Sequence, residues 1–280
     1  MTAPTSSQSA TTSAAGASEA PTSAPGARVP SRSARARSFN AAAAQYAANR
    51  PSYPPALFDA IEDLAGRPLD GARVADVGAG TGIATALLRE RGARVVAVEP
   101  GDGMAAQFHS IHPDLPVVRG DGNALPLATA SVDLITYAQS WHWTDRTRAV
   151  PEAVRALRPG GALALWWNTS ALDVPWIAEQ QERIRIHFSL DATGVDGRAR
   201  TSREADPTGR LDFRFRQLRW SRSVSVDTHL ANLGSHSVFL VHDEKESRAF
   251  LEEERRRLLD LFPEGTVQET YDVQLLVATP

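Results

Sequence analysis

Between residues 72 and 168, five short apolar runs alternate with stretches of helical period, and a chain with that rhythm has few ways to fold. "ARVADVG" (72–78), "ARVVAVEP" (93–100), "LPVVRGD" (115–121), "SVDLITYAQS" (131–140) and "ALALWWN" (162–168) read as strands. "IATALLRERG" (83–92), "GMAAQFHSIH" (103–112) and "PEAVRALRPGG" (151–161), which opens on proline and closes on a glycine cap, read as helices. Strands joined through helices run parallel, and helices on both faces give a Rossmann-like, doubly wound α/β sheet. After Asn168 the rhythm stops. A helix over "VPWIAEQQERIRIHFSL", a polar turn-rich stretch, a β-run "FRFRQLRWSRSVSV", helical stretches at 229–242 and 246–261 and a last strand "ETYDVQLLVAT" follow. These two late β-runs bring the sheet to seven strands, mostly parallel with an antiparallel last strand, and their Arg/Ser/Asp alternation predicts an antiparallel edge pair.

The expected organisation is a low-complexity tail over 1–38, a helical cover segment over 39–70, a ligand-binding core over 71–170, an insertion or lid over 171–247, and a closing helix and strand over 248–280. Of the first thirty residues 25 are Ala, Ser, Thr, Pro or Gly, too little apolar surface to offset the entropy of ordering. The arginines that follow in a Ser-rich, acid-poor setting leave organellar import as an alternative to the expected cytoplasmic location. A net charge of −3 gives no general attraction to nucleic acid or an anionic membrane, and no run has the roughly 20 apolar residues of a membrane span. A small-molecule partner is therefore expected, and nothing in the sequence sets an oligomeric state. The absence of cysteine excludes thiolate nucleophiles, iron–sulfur clusters and Cys-based zinc sites. His109 and His112 lack a clear third ligand and read as solvated, so no metal is expected.

A parallel sheet binds its ligand at the carboxyl ends of the strands, and the first strand–helix turn is the usual cradle. Here that turn is Asp76-Val-Gly78-Ala79-Gly80-Thr81-Gly82. The dinucleotide fingerprint is G-x-G-x-x-G/A, and Ile83 stands where its last glycine should fall. Asp76 ahead of the loop would repel a pyrophosphate, which favours a ligand carrying an amine. An NAD-dependent oxidoreductase and a non-catalytic cofactor-binding regulator are the alternatives.

An acid followed by x-G-x-G-x-G, with Glu99 ending the second strand and Asp121 in "GDGNALPL", resembles the class I S-adenosylmethionine-dependent methyltransferases. The resemblance implies that S-adenosyl-L-methionine is the cofactor, with its methionine part on the glycine loop beside Asp76. It implies the ribose hydroxyls on Glu99 and the adenine amino group on Asp121. Pro100, Met104, Gly122, Asn123, Ala124 and Gln139 complete the implied cofactor site. "YAANRPSYPPALFDAI" and "AQSWHW" look like the group around trans-aconitate methyltransferase, which makes Tyr46, Arg50 and Tyr53 candidate cover residues and Arg50 a candidate partner for the cofactor carboxylate.

Methyl transfer is an in-line displacement in which the protein mostly supplies alignment. "WHW" sits just past a strand's carboxyl end, where an acceptor should enter, so His142 is the candidate base or positioning group and Trp141 and Trp143 the candidate packing or pocket wall. A carboxylate acceptor needs no base, whereas a phenol, amine or acidic carbon does. The expected reaction is methylation of a small molecule on oxygen, with a carboxylate favoured and His142 leaning toward positioning.

Overall fold

The computed structural model describes residues 49–190 and 201–280. The tail over 1–38, Tyr46 and the first part of the cover segment lie outside the described residues.

The elements in chain order are α1 (Pro55–Ala65), β1 (Arg73–Val77), α2 (Ile83–Glu90), β2 (Arg94–Glu99), α3 (Asp102–Ile111), β3 (Val117–Arg119), β4 (Val132–Ala138), α4 (Arg146–Ala156) and β5 (Leu157–Ser170). Then follow α5 (Pro175–His187), α6 (Ser202–Ala205), β6 (Arg214–Ser225), α7 (Val226–Gly234), α8 (Ser237–Val241), α9 (Glu244–Leu261) and β7 (Thr266–Ala278). Seven strands form one sheet in the order β3-β2-β1-β4-β5-β7-β6. The first five are parallel, and β7 runs antiparallel to both neighbours. Strand order reverses between β1 and β4, so the carboxyl ends of these two strands frame a crevice.

The burial of β1 and β4 is nearly continuous, as helices on both faces require. One face packs Val77, Tyr137, Leu163 and Trp167. The other packs Val74, Leu134, Trp166 and Leu275 against Leu57, Ile61 and Leu88. A third cluster joins α5, α7, α8 and α9 through Phe188, Leu230, Phe239, Phe250 and Leu258. Past Ser170, the end of β5, β6 and β7 continue as a two-stranded ribbon from Ser221↔Thr270 to Ser225↔Thr266. That ribbon and α7, which grows directly from it, form a cap beyond the carboxyl end of β5.

Two sequence expectations change. The helix expected at 151–161 is α4, which begins at Arg146 because the Asp145 side chain accepts the Thr147 N–H; Pro151 lies inside it. It ends at Ala156, and Leu157 already pairs with Val132, so Gly160 and Gly161 belong to β5 rather than to a cap. The two late strands form the expected antiparallel pair at one edge of the sheet, with β7 inserted between β5 and the outermost strand β6. The boundary placed at 247 cuts through α9, which starts at Glu244 after an Asp243 cap.

Candidate functional site

Asp76 stands one residue before the end of β1 with its carboxylate fully buried. It accepts the Thr85 hydroxyl of α2 at 2.6 Å and the Thr136 hydroxyl of β4 at 2.9 Å. Burial pushes its carboxyl up to about 6, against the pull of the two hydroxyls. The turn that follows needs the left-handed region at Gly78, Gly80 and Gly82, with φ of 69°, 58° and 94°. A Cβ at Gly78 would stand 2.5 Å from that of Ser140, while one at Gly80 would meet nothing within 4 Å. Gly80 therefore faces open space, and backbone can meet a ligand there. Beside it, the buried Thr81 hydroxyl has no hydrogen-bond partner among the described residues.

Glu99 closes this cradle from β2. Its Oε2 accepts the Gly80 N–H at 2.8 Å and its Oε1 the Gly101 N–H at 2.7 Å. Each oxygen keeps a second lone pair, so the carboxylate both fixes the loop and can accept further donors. Burial raises the Glu99 carboxyl above its ordinary range. Pro100 is exposed, and Met104 is buried on α3.

The third acid lies in an exposed turn. Asp121 Oδ1 accepts the Asn123 N–H at 2.6 Å, and the Ala124 N–H donates to the Asp121 carbonyl at 3.3 Å. Asn123 in turn accepts the Asp145 N–H at 2.8 Å, which ties this turn to the start of α4. Gly122 lies against Tyr137: a Cβ there would stand 2.7 Å from the phenol oxygen.

At the end of β4, Gln139 takes φ 59°, an unusual state for a side chain that large. Its N–H donates to the Trp166 carbonyl and its Nε2 to the Asn168 carbonyl at 3.3 Å. Ser140 donates its hydroxyl to the Val77 carbonyl at 2.6 Å, joining the ends of β4 and β1. Trp141 is not pocket wall. It has no exposed surface, stands edge-on to Tyr137 and donates Nε1–H to the Ala205 carbonyl at 2.9 Å, which makes it core. His142 and Trp143 are half-buried, and the Trp167 indole N–H donates to His142 Nδ1 at 3.2 Å. A nitrogen that accepts carries no proton, so the neutral ring holds its proton on Nε2.

The strap before α1 runs onto the cap. Arg222 donates to the Asn49 carbonyl and Arg50 to the Ser235 carbonyl, each at 3.2 Å, and Asn168 Nδ2 donates to the Ser52 carbonyl at 3.2 Å. Tyr53 packs edge-on against Trp166 at 5.7 Å. Arg50 thus sits at the end of α7, and Tyr53 on the α1 face of the sheet.

The cap carries a buried polar network that sequence reasoning missed. Glu269 accepts Arg222 Nε at 2.5 Å and faces His229 Nδ1 at 2.7 Å, while His229 Nε2 faces the Gln180 side-chain oxygen at 3.0 Å. Gln180 Nε2 donates to Glu254, which also takes Arg183 at 2.5 Å. These partners sit on α5, β6, α7, α9 and β7, far apart in sequence and without motif spacing.

A methyltransferase-domain family model matches residues 75–165, the span that holds β1 through β5. An uncharacterised methyltransferase of Mycobacterium bovis is 36% identical over 200 residues, which cover 71% of this chain and 76% of that protein. The chain belongs to the class I S-adenosylmethionine-dependent methyltransferases. The solved structure of a protein described as a type II methyltransferase, from Anaeromyxobacter dehalogenans, superposes with a TM-score of 0.63 at 25% identity, covering 82% of this chain and 97% of the other. A malonyl-[acyl-carrier protein] O-methyltransferase of Methylococcus capsulatus is 40% identical over 136 residues, 45% of this chain and 48% of that protein.

The cofactor of this methyltransferase is S-adenosyl-L-methionine. The open space at Gly80, the unpartnered Thr81 hydroxyl beside it and the spare lone pairs of Glu99 suit a ligand that brings hydroxyl and amine donors to the carboxyl ends of β1 and β2.

Proposed function

We propose that this methyltransferase acts on a small molecule and places the methyl group on oxygen, a carboxylate oxygen first. His142 carries the reading. A catalytic base at the mouth of the site would need a ring nitrogen open to the acceptor's proton and, commonly, a carboxylate behind the ring to stabilise the imidazolium. His142 Nδ1 instead receives an indole N–H, so its ring is arranged to donate from Nε2. A donor steadies an acceptor that arrives without a proton, and a carboxylate is such an acceptor. The match to an enzyme whose name places its methyl group on oxygen supports the same reading, as does the resemblance of "RPSYPPALFDAI" and "AQSWHW" to the trans-aconitate methyltransferase group.

When bound, S-adenosylmethionine supplies a methyl group on a sulfonium, open to in-line displacement. In this reading Glu99 accepts the ribose hydroxyls on the lone pairs that Gly80 and Gly101 leave, and Asp121 accepts the adenine amino group. Asp76 holds the cradle's shape through Thr85 and Thr136. His142 Nε2–H and Trp143 orient the acceptor, and the strap with Arg50 and Tyr53 keeps water from the reacting atoms.

The test is a screen with methyl-labelled cofactor against carboxylic acids, phenols and amines, followed by mild alkali. A methyl ester releases its label as methanol under alkali; ethers and methylamines do not. Label that stays on the product under alkali would overturn the carboxylate reading.

A further inference from the structure

We infer that Asn168 is a positioning residue for the strap: its side-chain amide, oriented by the Trp220 indole, ties the Ser52 carbonyl to the carboxyl end of β5 and thereby slows the release of the cofactor. The inference rests on the reading above that the strap shields the reacting atoms.

Asn168 is 8% exposed, near the end of β5, and both ends of its amide are engaged. The Trp220 indole N–H donates to Oδ1 at 3.0 Å, and an indole nitrogen donates and never accepts. That settles the amide's orientation, with Nδ2 turned to the Ser52 carbonyl at 3.2 Å. A flipped amide would oppose donor to indole and acceptor to carbonyl, and both bonds would go. Trp220 is in turn held by Tyr271, its cross-strand partner, stacked on it at 5.4 Å between centroids.

The strap is stiff where this bond meets it. Pro51 and Pro54 each fix their own φ and narrow the choices of the residue ahead of them. A single tie at Ser52 therefore sets the course of the chain between Arg50 at the α7 end and Tyr53 against Trp166. The backbone of Asn168 faces the cradle side. Its carbonyl accepts Gln139 Nε2 at 3.3 Å, and Gln139, left-handed at φ 59°, leads into Ser140, which stands against Gly78. A left-handed glutamine persists only where its surroundings hold it. Asn168 thus joins the strap to the turn beside the glycine loop. A ligand on that loop leaves past the strap, so loss of the tie appears in its dissociation rate.

The chain has no cysteine, so Ser52→Cys in the full-length protein puts a single thiol on the strap for a spin label and leaves the backbone carbonyl in place. Adding S-adenosylhomocysteine should restrict the label's motion. No restriction would overturn the strap reading and this inference together. Asn168→Asp keeps the side chain's size and the acceptor for Trp220 but sets an oxygen against the Ser52 carbonyl. In that background the label should become mobile, and the unlabelled variant should release tritiated S-adenosylhomocysteine about tenfold faster than the wild type, the scale of one hydrogen bond. A label that stays restricted would show that the amide does not hold the strap. A mobile label with unchanged release would show that the tie does not guard the cofactor. Either result overturns the inference and leaves the strap reading standing. Trp220→Phe removes the orienting donor and should speed release about threefold in the wild-type background and no further in Asn168→Asp; effects that simply add would overturn the orienting role, because a general loosening of the cap adds and an action through Asn168 does not. Should Asn168→Asp not fold, Trp220→Phe decides alone, and unchanged release in it overturns the inference.

Discussion

Glu99 and Glu269 are both nearly buried carboxylates, at 6% and 2% exposure, and their surroundings are opposite. Glu99 has two backbone N–H partners and Asp76 nearby; the Arg119 guanidinium does not offset burial, and its carboxyl is pushed up. Glu269 is also opposed by burial, but His229 and Arg222 outweigh it and bring the carboxyl down to about 2. A buried acid paired with a guanidinium and hydrogen-bonded to an imidazole is a finished structural unit. A buried acid held by backbone donors, in a crevice with spare lone pairs, suits a ligand, and uncompensated burial of this kind clusters at functional sites. The cap and the cradle differ in that respect: the cap's charges neutralise one another, whereas in the cradle Asp76 is held by neutral hydroxyls and Glu99 keeps lone pairs for further donors.

The largest expected effect breaks the finished side. Glu269→Gln leaves Arg222 and His229 buried beside a neutral amide, and removing one partner of a buried ion pair typically costs about 3–5 kcal/mol. Urea unfolding should show that loss, while S-adenosylhomocysteine affinity in the folded fraction stays within a factor of about three. A loss under about 1 kcal/mol would mean that the cap network holds little of the fold.

The next effect sharpens the cradle side through pH. The folded-state carboxyl of Asp76 is raised to about 6 from 3.8, so the fold binds this proton more tightly than the unfolded chain does. The charged form therefore costs stability above about pH 6, the cost shrinks as pH falls, and it is gone below the unfolded value. For Glu269, lowered from 4.5 to about 2, the stabilisation is present above the unfolded value and is lost as pH falls through about 2. Asp76→Asn should thus gain on the wild type by on the order of 2 kcal/mol between about pH 4 and pH 8. Urea midpoints of both proteins at the two pH values check it. A gap that does not change with pH would contradict the assignment of the cost to Asp76.

The smallest stability effect belongs to Gly80→Ala. A left-handed φ costs an L-residue roughly 1 kcal/mol, and no atom obstructs the new methyl group. Thermal melts should therefore show a minor change. The methyl group stands in the open cradle, so cofactor affinity should fall much more than stability does, and a loss confined to stability would show that Gly80 serves the turn alone.

These contrasts also mark what the sequence made legible. The strands from Arg73 to Ser170 and the acid–glycine loop were readable because local periodicity and a short motif carry them. Asp145 was missed as a cap because Pro151 is itself a strong helix-start signal. The position of β7 was readable in principle: Val273 to Ala278 is buried throughout, which marks a strand covered on both faces, whereas β6 alternates. Trp141 and His142 are adjacent and look equivalent, yet the single turn after β4 sends one into the core and leaves the other half-buried. The network of Gln180, Arg222, His229, Glu254 and Glu269 had no signal at all, since its members meet only when five elements have packed.

The most direct measurement is calorimetric titration of S-adenosylhomocysteine into the wild-type protein and Glu99→Ala, with urea unfolding of both. The account predicts one site per chain in the wild type. In Glu99→Ala binding should be weaker by roughly 1.5–3 kcal/mol, the worth of a charged hydrogen-bonding partner, with the protein still folded. No binding to the wild type, or equal affinity in a folded Glu99→Ala, would contradict the claim that the cradle between β1 and β2 holds the cofactor.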